Sequence, residues 1–260
     1  MTNVPDTTLD TASRYHDVAA LAGTPGARPF PPPHLPWIMG QHWDDVLFCS
    51  WPYPVAALRP LVPAGLDVET YEGSAWVSLV ALSMDDVHLR GLPPIPFTTG
   101  FAELNLRTYV TCNGRPGVYF IAIDCPNLLC SWIGRTVFHT PYEDAEVTLA
   151  SEGDGWLFSS ARDGAVRFAA SYHPIGEWYT AAPGSLDAFL TDRYAMFVQT
   201  DHRRLLLGAI QHAPWPLQDV TVDLSWNVAL EAAGLPAPKG QPVERYSAGT
   251  NTIVWPLERT

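Results

Sequence analysis

The 260-residue chain carries a net charge of −12, with 47% apolar and only 16% charged residues. This negative balance disfavours binding to nucleic acids and to anionic membranes, because both need clustered Lys and Arg. The length fits one large domain or two small ones, and the ten Trp, ten Tyr, ten Phe and 25 Pro predict a β-rich, loop-rich body.

The cysteines predict a reducing compartment. None of Cys49, Cys112, Cys125 and Cys130 forms a C-x-x-C pair, and all lie in apolar or strand-like contexts, which indicates buried free thiols. The N-terminus lacks the basic start and apolar run of a signal peptide, and no apolar run approaches the length of a membrane span. We therefore expect a cytoplasmic protein without a membrane partner.

Residues 1–36 are interpreted as an N-terminal extension of a single domain, residues 37–260. Thr11–Ala22 predicts a short helix that ends at Gly23. The proline-rich segment Gly23–Pro36 excludes regular structure, and we expect it to lie as a strap across the body near the mouth of a pocket. Phe30 and Trp37 would anchor it.

The body alternates predicted strands with a few helices. In its first half the strands are Asp44–Trp51, Leu66–Thr70, Ala75–Met84, Phe101–Thr111 and Val118–Asp124, and the helices are Pro54–Pro60 and Leu128–Phe138, the second capped by Asn127. In its second half the strands are Glu146–Ala150, Gly155–Arg162, Ala165–His173, Arg204–His212, Asp219–Leu224 and Asn251–Pro256, and the helices are Leu186–Phe197 and Ser225–Ala233. Pro141–Ala145 is predicted to form a bend after the helix Leu128–Phe138.

The hairpin that begins at Phe101 carries a row of polar side chains. Strict alternation places Glu103, Asn105, Arg107 and Tyr109 on one face of the strand. Such a row is either a solvated face with a salt bridge or the inside of a ligand-binding barrel. The next strand is apolar on both faces, which favours the barrel interior.

The sequence lacks the residue patterns that several kinds of catalysis require. The eight histidines do not show the spacing of a metal site, and no nucleophile elbow or nucleotide-binding fingerprint is present. The single lysine, Lys239, lies in a segment with the composition of a surface loop, so an amine nucleophile is not expected. We predict a small-molecule substrate and no metal or other cofactor.

Acid–base and electrostatic chemistry remains. Glu103 is the candidate acid or base, Arg107 an anion or enolate clamp, and Tyr142 and His212 are candidate proton donors. The predicted substrate-binding side chains are Asn105, Tyr109, Tyr119, His42, Trp43 and Trp215.

Each candidate also has a structural interpretation. Glu103 and Arg107 would form a buried ion pair, His212 would be a core histidine bonded to backbone, and Tyr142 would simply pack. Alternate residues of a strand are roughly 7 Å apart, so Glu103 and Arg107 lie two such steps apart. We therefore expect Tyr142 or a ligand between them rather than a tight bridge.

Several segments of the body form a specific combination of motifs: Gln41–Phe48, Leu58–Pro63, Glu103–Val110, Gly114–Phe120, Pro141–Tyr142 and Pro214–Leu217. This combination resembles the YqjF-like family of uncharacterised bacterial proteins from about Trp37 to the C-terminus. That family more distantly resembles acetoacetate decarboxylase. The resemblance implies a β-dominated α+β fold, a closed β-barrel with flanking helices.

The resemblance to the decarboxylase also implies the place of the pocket. Gly100–Glu103 is similar to the strand start that carries one of its active-site glutamates, and Tyr142 and Glu143 stand where its lysine pair would be. No arginine stands near Asp44, where its active-site arginine would fall. Without the lysine, decarboxylation through an imine is not expected.

Relatives of the decarboxylase in secondary metabolism catalyse aldol, dehydration or cyclisation steps, so the resemblance implies a lyase or cyclase acting on a keto-type metabolite. A non-catalytic small-molecule-binding barrel, a sensor or carrier, is the alternative. A structural protein with a solvent-exposed polar row is a further one. The sequence leaves the oligomeric state open, a homo-oligomer included.

Overall fold

A computed structural model describes residues 20–22 and 28–260 of the chain. The predicted helix Thr11–Ala22 lies outside the described residues except at its end, where Ala20 and Leu21 are helical. Within the described part of the chain, no helix has the length and apolarity that crossing a bilayer requires.

The described residues form fourteen strands in one hydrogen-bonded sheet. The strands are β1 Met39–Tyr53, β2 Asp67–Val68, β3 Ala75–Leu89, β4 Phe101–Cys112, β5 Arg115–Cys125, β6 Tyr142–Asp144, β7 Glu146–Glu152, β8 Gly155–Arg162, β9 Ala165–Tyr179, β10 Ala195–Gln199, β11 Leu205–His212, β12 Leu217–Asn227, β13 Val243–Val254 and β14 Glu258–Arg259. The helices are α1 Val55–Leu58, α2 Leu128–Val137, α3 Leu186–Thr191 and α4 Ala229–Ala232.

The strand pairing returns on itself. Strand β11 pairs with both β10 and β13, so a ring runs through β11, β10, β5, β4, β3, β1 and β13. Strands β12, β9, β8 and β7 continue from β13 as an arm outside this ring. The β-dominated prediction is therefore confirmed.

Both faces of the polar hairpin strand β4 are buried. Leu104 and Leu106 pack in an apolar cluster with Phe158 and Phe168 of the arm. On the opposite face Glu103, Asn105, Arg107 and Tyr109 have exposed fractions of 2, 3, 4 and 0%. The interpretation of the polar row as a solvated face is therefore wrong, because the ring encloses one side of β4 and the arm covers the other.

Two predicted helices are much shorter than expected. The helix after Ser185 ends at Thr191, and Ala195–Gln199 is strand β10 of the ring, because its parallel pairing with β5 outweighs local helix propensity. Ser225, Trp226 and Asn227 belong to β12, which leaves only Ala229–Ala232 helical.

The segment after α2 also differs from its prediction. Tyr142–Asp144 was expected as a bend and is the short strand β6, parallel to β5 with Tyr142 opposite Ile123. This pairing carries Tyr142 from the end of α2 to the ring.

The described part of the proline-rich segment, residues 28–36, contacts strand β11 and the residue after β13. The Arg28 guanidinium donates to the backbone carbonyl of Ile210 and, at 3.2 Å, to Gln211 Oε1. Trp255 Nε1 donates to the carbonyl of Leu35 at 2.8 Å, and Phe30 packs against the apolar cluster that contains Trp255. These contacts attach the segment to the ring.

Candidate functional site

A cavity of about 340 Å³ lies inside the ring. Each of the seven ring strands contributes at least one lining side chain, and α2 and the loop between β3 and β4 complete the enclosure. Most lining side chains are apolar. The predicted residues among them are Trp43, Glu103, Asn105 and Tyr142. The cavity thus collects polar groups from β1, β4 and β6 into a largely apolar space.

A wider cleft of about 520 Å³ lies between β4 and the β7–β8 hairpin. Its lining includes Asp45 and Trp156 but none of the site residues that the sequence predicts. The ring cavity is therefore the better candidate site.

The carboxyl group of Glu103 is the central feature of the cavity. The Tyr142 hydroxyl donates a hydrogen bond to Glu103 Oε2 at 3.0 Å. Burial raises the pKa of Glu103 to about 7, while hydrogen bonds from Tyr142 and the Asn105 side chain oppose this rise. A carboxyl group with this pKa exchanges between acid and base near neutral pH, as a proton-transfer group must.

The phenol of Tyr142 stays protonated. Burial, followed by the nearby charge of Glu103, raises the pKa of Tyr142 well above its ordinary value of 10. Tyr142 therefore acts as a hydrogen-bond donor to Glu103 and not as a phenolate. Strand spacing predicted Tyr142 or a ligand between Glu103 and Arg107; in the described residues Glu103 bonds to Tyr142, and Arg107 bonds to the Leu190 carbonyl instead.

Gly134 makes room for the Tyr142 ring. A Cβ atom at Gly134 would lie 2.3 Å from two carbons of that ring, a distance that side chains do not tolerate. Thr140 Oγ1 donates to the Gly134 carbonyl at 2.9 Å and fixes the turn between α2 and β6. The sequence analysis did not predict this close approach; the glycine in the middle of a predicted helix is the signal that could have indicated it.

Two buried polar atoms of lining residues lack a hydrogen-bond partner among the described residues. They are Trp43 Nε1 and Asn105 Oδ1. Buried polar atoms are nearly always hydrogen-bonded, so these two side chains leave a donor and an acceptor unmatched beside the cavity.

A β-bulge positions Trp43. The pairing of β1 with β3 shifts between Asp44 and Leu47, and Asp45 adopts a positive φ of 51°. Opposite the bulge, Gly249 has φ +131°, and a Cβ there would lie 2.0 Å from the Trp43 carbonyl oxygen. The Trp43 ring stacks on Trp215 with centroids 5.7 Å apart.

Arg107 and Tyr109 lie inside the ring but do not line the cavity. Arg107 Nη2 and the Tyr109 hydroxyl both donate to the carbonyl of Leu190 at 2.9 Å. Carbonyls in the last turn of a helix have no partner within the helix, so the Leu190 carbonyl at the end of α3 can accept hydrogen bonds from both side chains. The ring of Phe48 lies 5.6 Å from the Arg107 guanidinium.

His212 and Trp215 also form hydrogen bonds with backbone carbonyls in and near α3. The two ring nitrogens of His212 lie 2.7 and 3.1 Å from the carbonyl oxygens of Ala213 and Arg193. Burial lowers the pKa of His212 to about 4, so the ring is neutral near neutral pH and its single N–H donates to one of these two carbonyls. Trp215 Nε1 donates to the Thr191 carbonyl at 3.0 Å. His212 thus has the partners of a core histidine and does not reach the cavity.

His42 and Tyr119 lie away from the cavity. His42 contacts Asn251 Oδ1 at 2.7 Å and Asp44 Oδ1 at 2.9 Å, because alternation along β1 turns it to the face opposite Trp43. Tyr119 is half-buried in the cluster around Phe197. His42 and Tyr119 were predicted to bind substrate, but neither lines the cavity.

The cavity also contains residues that sequence reasoning missed, notably Gln41, Thr98 and Cys130. Burial, followed by the charge of Glu103, raises the pKa of the Cys130 thiol to about 12, so it remains neutral. No local pattern marks these residues, since they come from three separate segments. No group of three or more His, Cys, Asp and Glu in the described ranges is arranged to hold a metal ion.

Solved structures with a similar fold are enzymes. The enduracididine biosynthesis enzyme MppR, in complex with pyruvate, matches with a TM-score of 0.62 and 12% identity over 90% of this chain and 92% of its own. Acetoacetate decarboxylase from Legionella pneumophila matches with a TM-score of 0.61 and 14% identity over 89% and 92%. At such identities the likeness shows the acetoacetate decarboxylase-like fold alone.

Sequence comparison is more specific. The model of the family DUF2071, described as an uncharacterized conserved protein, matches residues 40–251. The uncharacterized protein YqjF of Bacillus subtilis (strain 168) is 40% identical over 225 residues, which cover 86% of this chain and 93% of YqjF. The matched region contains every strand of the ring and both members of the Glu103–Tyr142 pair, so the chain belongs to the DUF2071 family of YqjF-like proteins.

Proposed function

We propose that this protein is a small-molecule enzyme of the lyase or cyclase type that moves protons next to a carbonyl group of its substrate. The observation that carries the proposal is the Glu103 carboxyl, with its pKa near 7, hydrogen-bonded to Tyr142 on the wall of an enclosed apolar cavity. The acetoacetate decarboxylase-like enzymes of similar fold support it.

The proposed reaction starts with Glu103 as a carboxylate. Its oxygen takes a proton from the carbon next to the substrate carbonyl, and the electron pair of that C–H bond moves to form an enolate. The indole N–H of Trp43, which has no partner among the described residues, is a suitable donor to the developing oxyanion. The Tyr142 phenol holds the Glu103 carboxyl in place throughout.

The enolate has three possible fates, which correspond to the reaction types that we propose. Protonated Glu103 returns the proton in simple exchange. In a dehydration, the enolate electrons re-form the carbonyl as the hydroxyl group on the next carbon leaves, and protonated Glu103 gives that group its proton, so that water is released. In an aldol or cyclisation step, the enolate carbon attacks a second carbonyl, whose oxygen then takes a proton.

A Schiff base is not part of the proposal. Lys239, the only lysine of the chain, is exposed and does not line the cavity. We further propose that the ring acts as a closed β-barrel within a single domain of residues 37–260. The name of MppR supports a role in secondary metabolism.

Exchange of substrate protons for deuterium tests this function without knowledge of the final product. A panel of ketones, aldehydes and keto acids is incubated with the protein in D₂O, and loss of the α-proton signals is followed by NMR. We expect Glu103→Gln to reduce enzyme-dependent exchange by roughly 10²–10⁴-fold. The matched control is Glu143→Gln, the same change at an exposed position beside Tyr142, which should leave exchange unchanged.

Two outcomes contradict the proposal. Exchange that survives in Glu103→Gln would remove Glu103 from the reaction. Binding of panel members in the cavity without any exchange would favour the non-catalytic binding barrel.

A further inference from the structure

The described residues of the cavity wall offer no positive charge to a ligand. They include no Lys, Arg or His, and their ionisable side chains are Glu103, Cys130 and Tyr142. Cys130 and Tyr142 stay neutral because burial raises their pKa values. The charge that this wall can acquire is therefore the negative charge of Glu103, which repels an anionic ligand in an apolar space.

Two buried cations inside the ring are engaged elsewhere. Arg107 donates to the Leu190 carbonyl behind the cavity, with its guanidinium over the rings of Phe48 and Tyr109. Arg193 forms an ion pair with Glu69 at 2.6 Å. Neither guanidinium reaches the wall.

The entrance is apolar as well. Leu89 and Val137 both line the cavity and are 45 and 51% exposed, so they mark where it meets solvent. A charged ligand would lose its hydration along this path without a compensating partner, whereas a hydrophobic ligand gains from it.

The polar contacts that the wall does offer are few and uncharged. Trp43 Nε1 can donate one hydrogen bond, which suits a carbonyl oxygen, whereas Asn105 Oδ1 can accept one, which suits a hydroxyl group on the same hydrophobic skeleton. We infer that the ligand of this cavity is a neutral, mainly hydrophobic carbonyl compound without a carboxylate, unlike the pyruvate bound to MppR. The carbonyl in this inference rests on the proposed function, whereas the neutral, hydrophobic character rests on the wall itself.

A matched pair of ligands tests the inference. 2-Decanone and 2-oxodecanoate share their chain and ketone and differ only in a methyl group against a carboxylate. Binding is measured by calorimetry at pH 8, where Glu103 is mainly charged, and at pH 6. We expect 2-decanone to bind at least about ten-fold more tightly at pH 8, with a smaller difference at pH 6. Equal or tighter binding of 2-oxodecanoate would overturn the inference, above all if Arg107→Gln then removed that binding.

A pair of helix α2 variants shows where the ligand binds. Val137→Trp fills the entrance at a position exposed enough to accept a large ring, and it should weaken 2-decanone binding at least about ten-fold. Leu128→Trp is the control, because Leu128 is 66% exposed on the same helix and does not line the cavity. Equal effects of the two changes would place the ligand on the exposed apolar surface and overturn the inference.

Failure of this inference is distinguishable from failure of the proposed function, because binding is measured without turnover. 2-Decanone that binds at the cavity but is not exchanged in D₂O would leave the inference standing and remove the function. A keto acid that binds preferentially and is exchanged by Glu103 would do the reverse.

Discussion

Replacing Glu103 by Gln should stabilise the folded protein relative to wild type as the pH rises. Burial raises the pKa of Glu103 from 4.5 to about 7, so the folded state holds the proton more tightly than the unfolded state does. The stability from this group is fully present below pH 4.5 and is lost as the pH rises through 7. The amide of Gln keeps the shape and the hydrogen bond from Tyr142 but does not titrate.

The magnitude follows from the two pKa values. Relative to low pH, linkage lowers the contribution of Glu103 to the free energy of unfolding by about 1.4 kcal/mol at pH 5.5 and by about 3.4 kcal/mol at pH 8.5. Between these pH values the free energy of unfolding of wild type should therefore fall by about 2 kcal/mol relative to Glu103→Gln. Other titrating groups affect both proteins equally and cancel in this difference.

Urea unfolding of both proteins, at several pH values from 5.5 to 8.5, measures the effect. The lower limit keeps the protein above its pI of about 4.9, where solubility is poorest. Glu143→Gln is again the control and should follow wild type, because Glu143 is exposed. If the difference in free energy of unfolding between wild type and Glu103→Gln stays constant over this range, the raised pKa of the buried Glu103 carboxyl is refuted.

Tyr142→Phe removes a hydrogen bond to the Glu103 carboxylate, so the pH midpoint of proton exchange should move upward by about one unit; an unchanged midpoint would mean that the hydrogen bond does not tune Glu103. Gly134→Ala should lower the free energy of unfolding in urea by about 1–3 kcal/mol, because the clash with the Tyr142 ring outweighs a helix gain of about 1 kcal/mol, and stabilisation would contradict this. Borohydride treatment with keto substrates should leave no adduct by intact mass, and a stable adduct on Lys239 would exclude the proposed chemistry. Deletion of residues 1–30 should lower the melting temperature because it removes the contacts of Arg28 and Phe30, whereas an unchanged melting temperature with unchanged ligand binding would argue against an anchored segment.

The local sequence predicted the elements that obey local rules. Alternation in Phe101–Thr111 predicted a strand with two unlike faces, and β4 spans Phe101–Cys112 with Leu104 outside the ring and Glu103 inside it. Asn127 predicted the start of α2, and its side chain accepts from the backbone amides of Leu129 and Cys130. These features depend on residues that are close in sequence, so the sequence alone could predict them.

Predictions that depended on distant partners were less accurate. The apolar stretch Ala195–Gln199 looks helical by itself and becomes a strand because β5 and β11 lie beside it. Arg107 was a plausible anion clamp until the end of α3, more than 80 residues away, supplied the Leu190 carbonyl. Burial against β11 and α3 also decided that His212 bonds to backbone.

The sequence by itself determined a β-rich chain of the YqjF-like family, with Glu103 and Tyr142 as candidate site residues and a single lysine in a segment with the composition of a surface loop. Only the tertiary structure decided that these two residues meet at 3.0 Å, across 39 positions of sequence, on the wall of a cavity whose described lining holds no Lys, Arg or His. The physical reason is that a pKa and a binding preference depend on desolvation and on neighbouring charges. Those are set when separate strands and a helix enclose the same space.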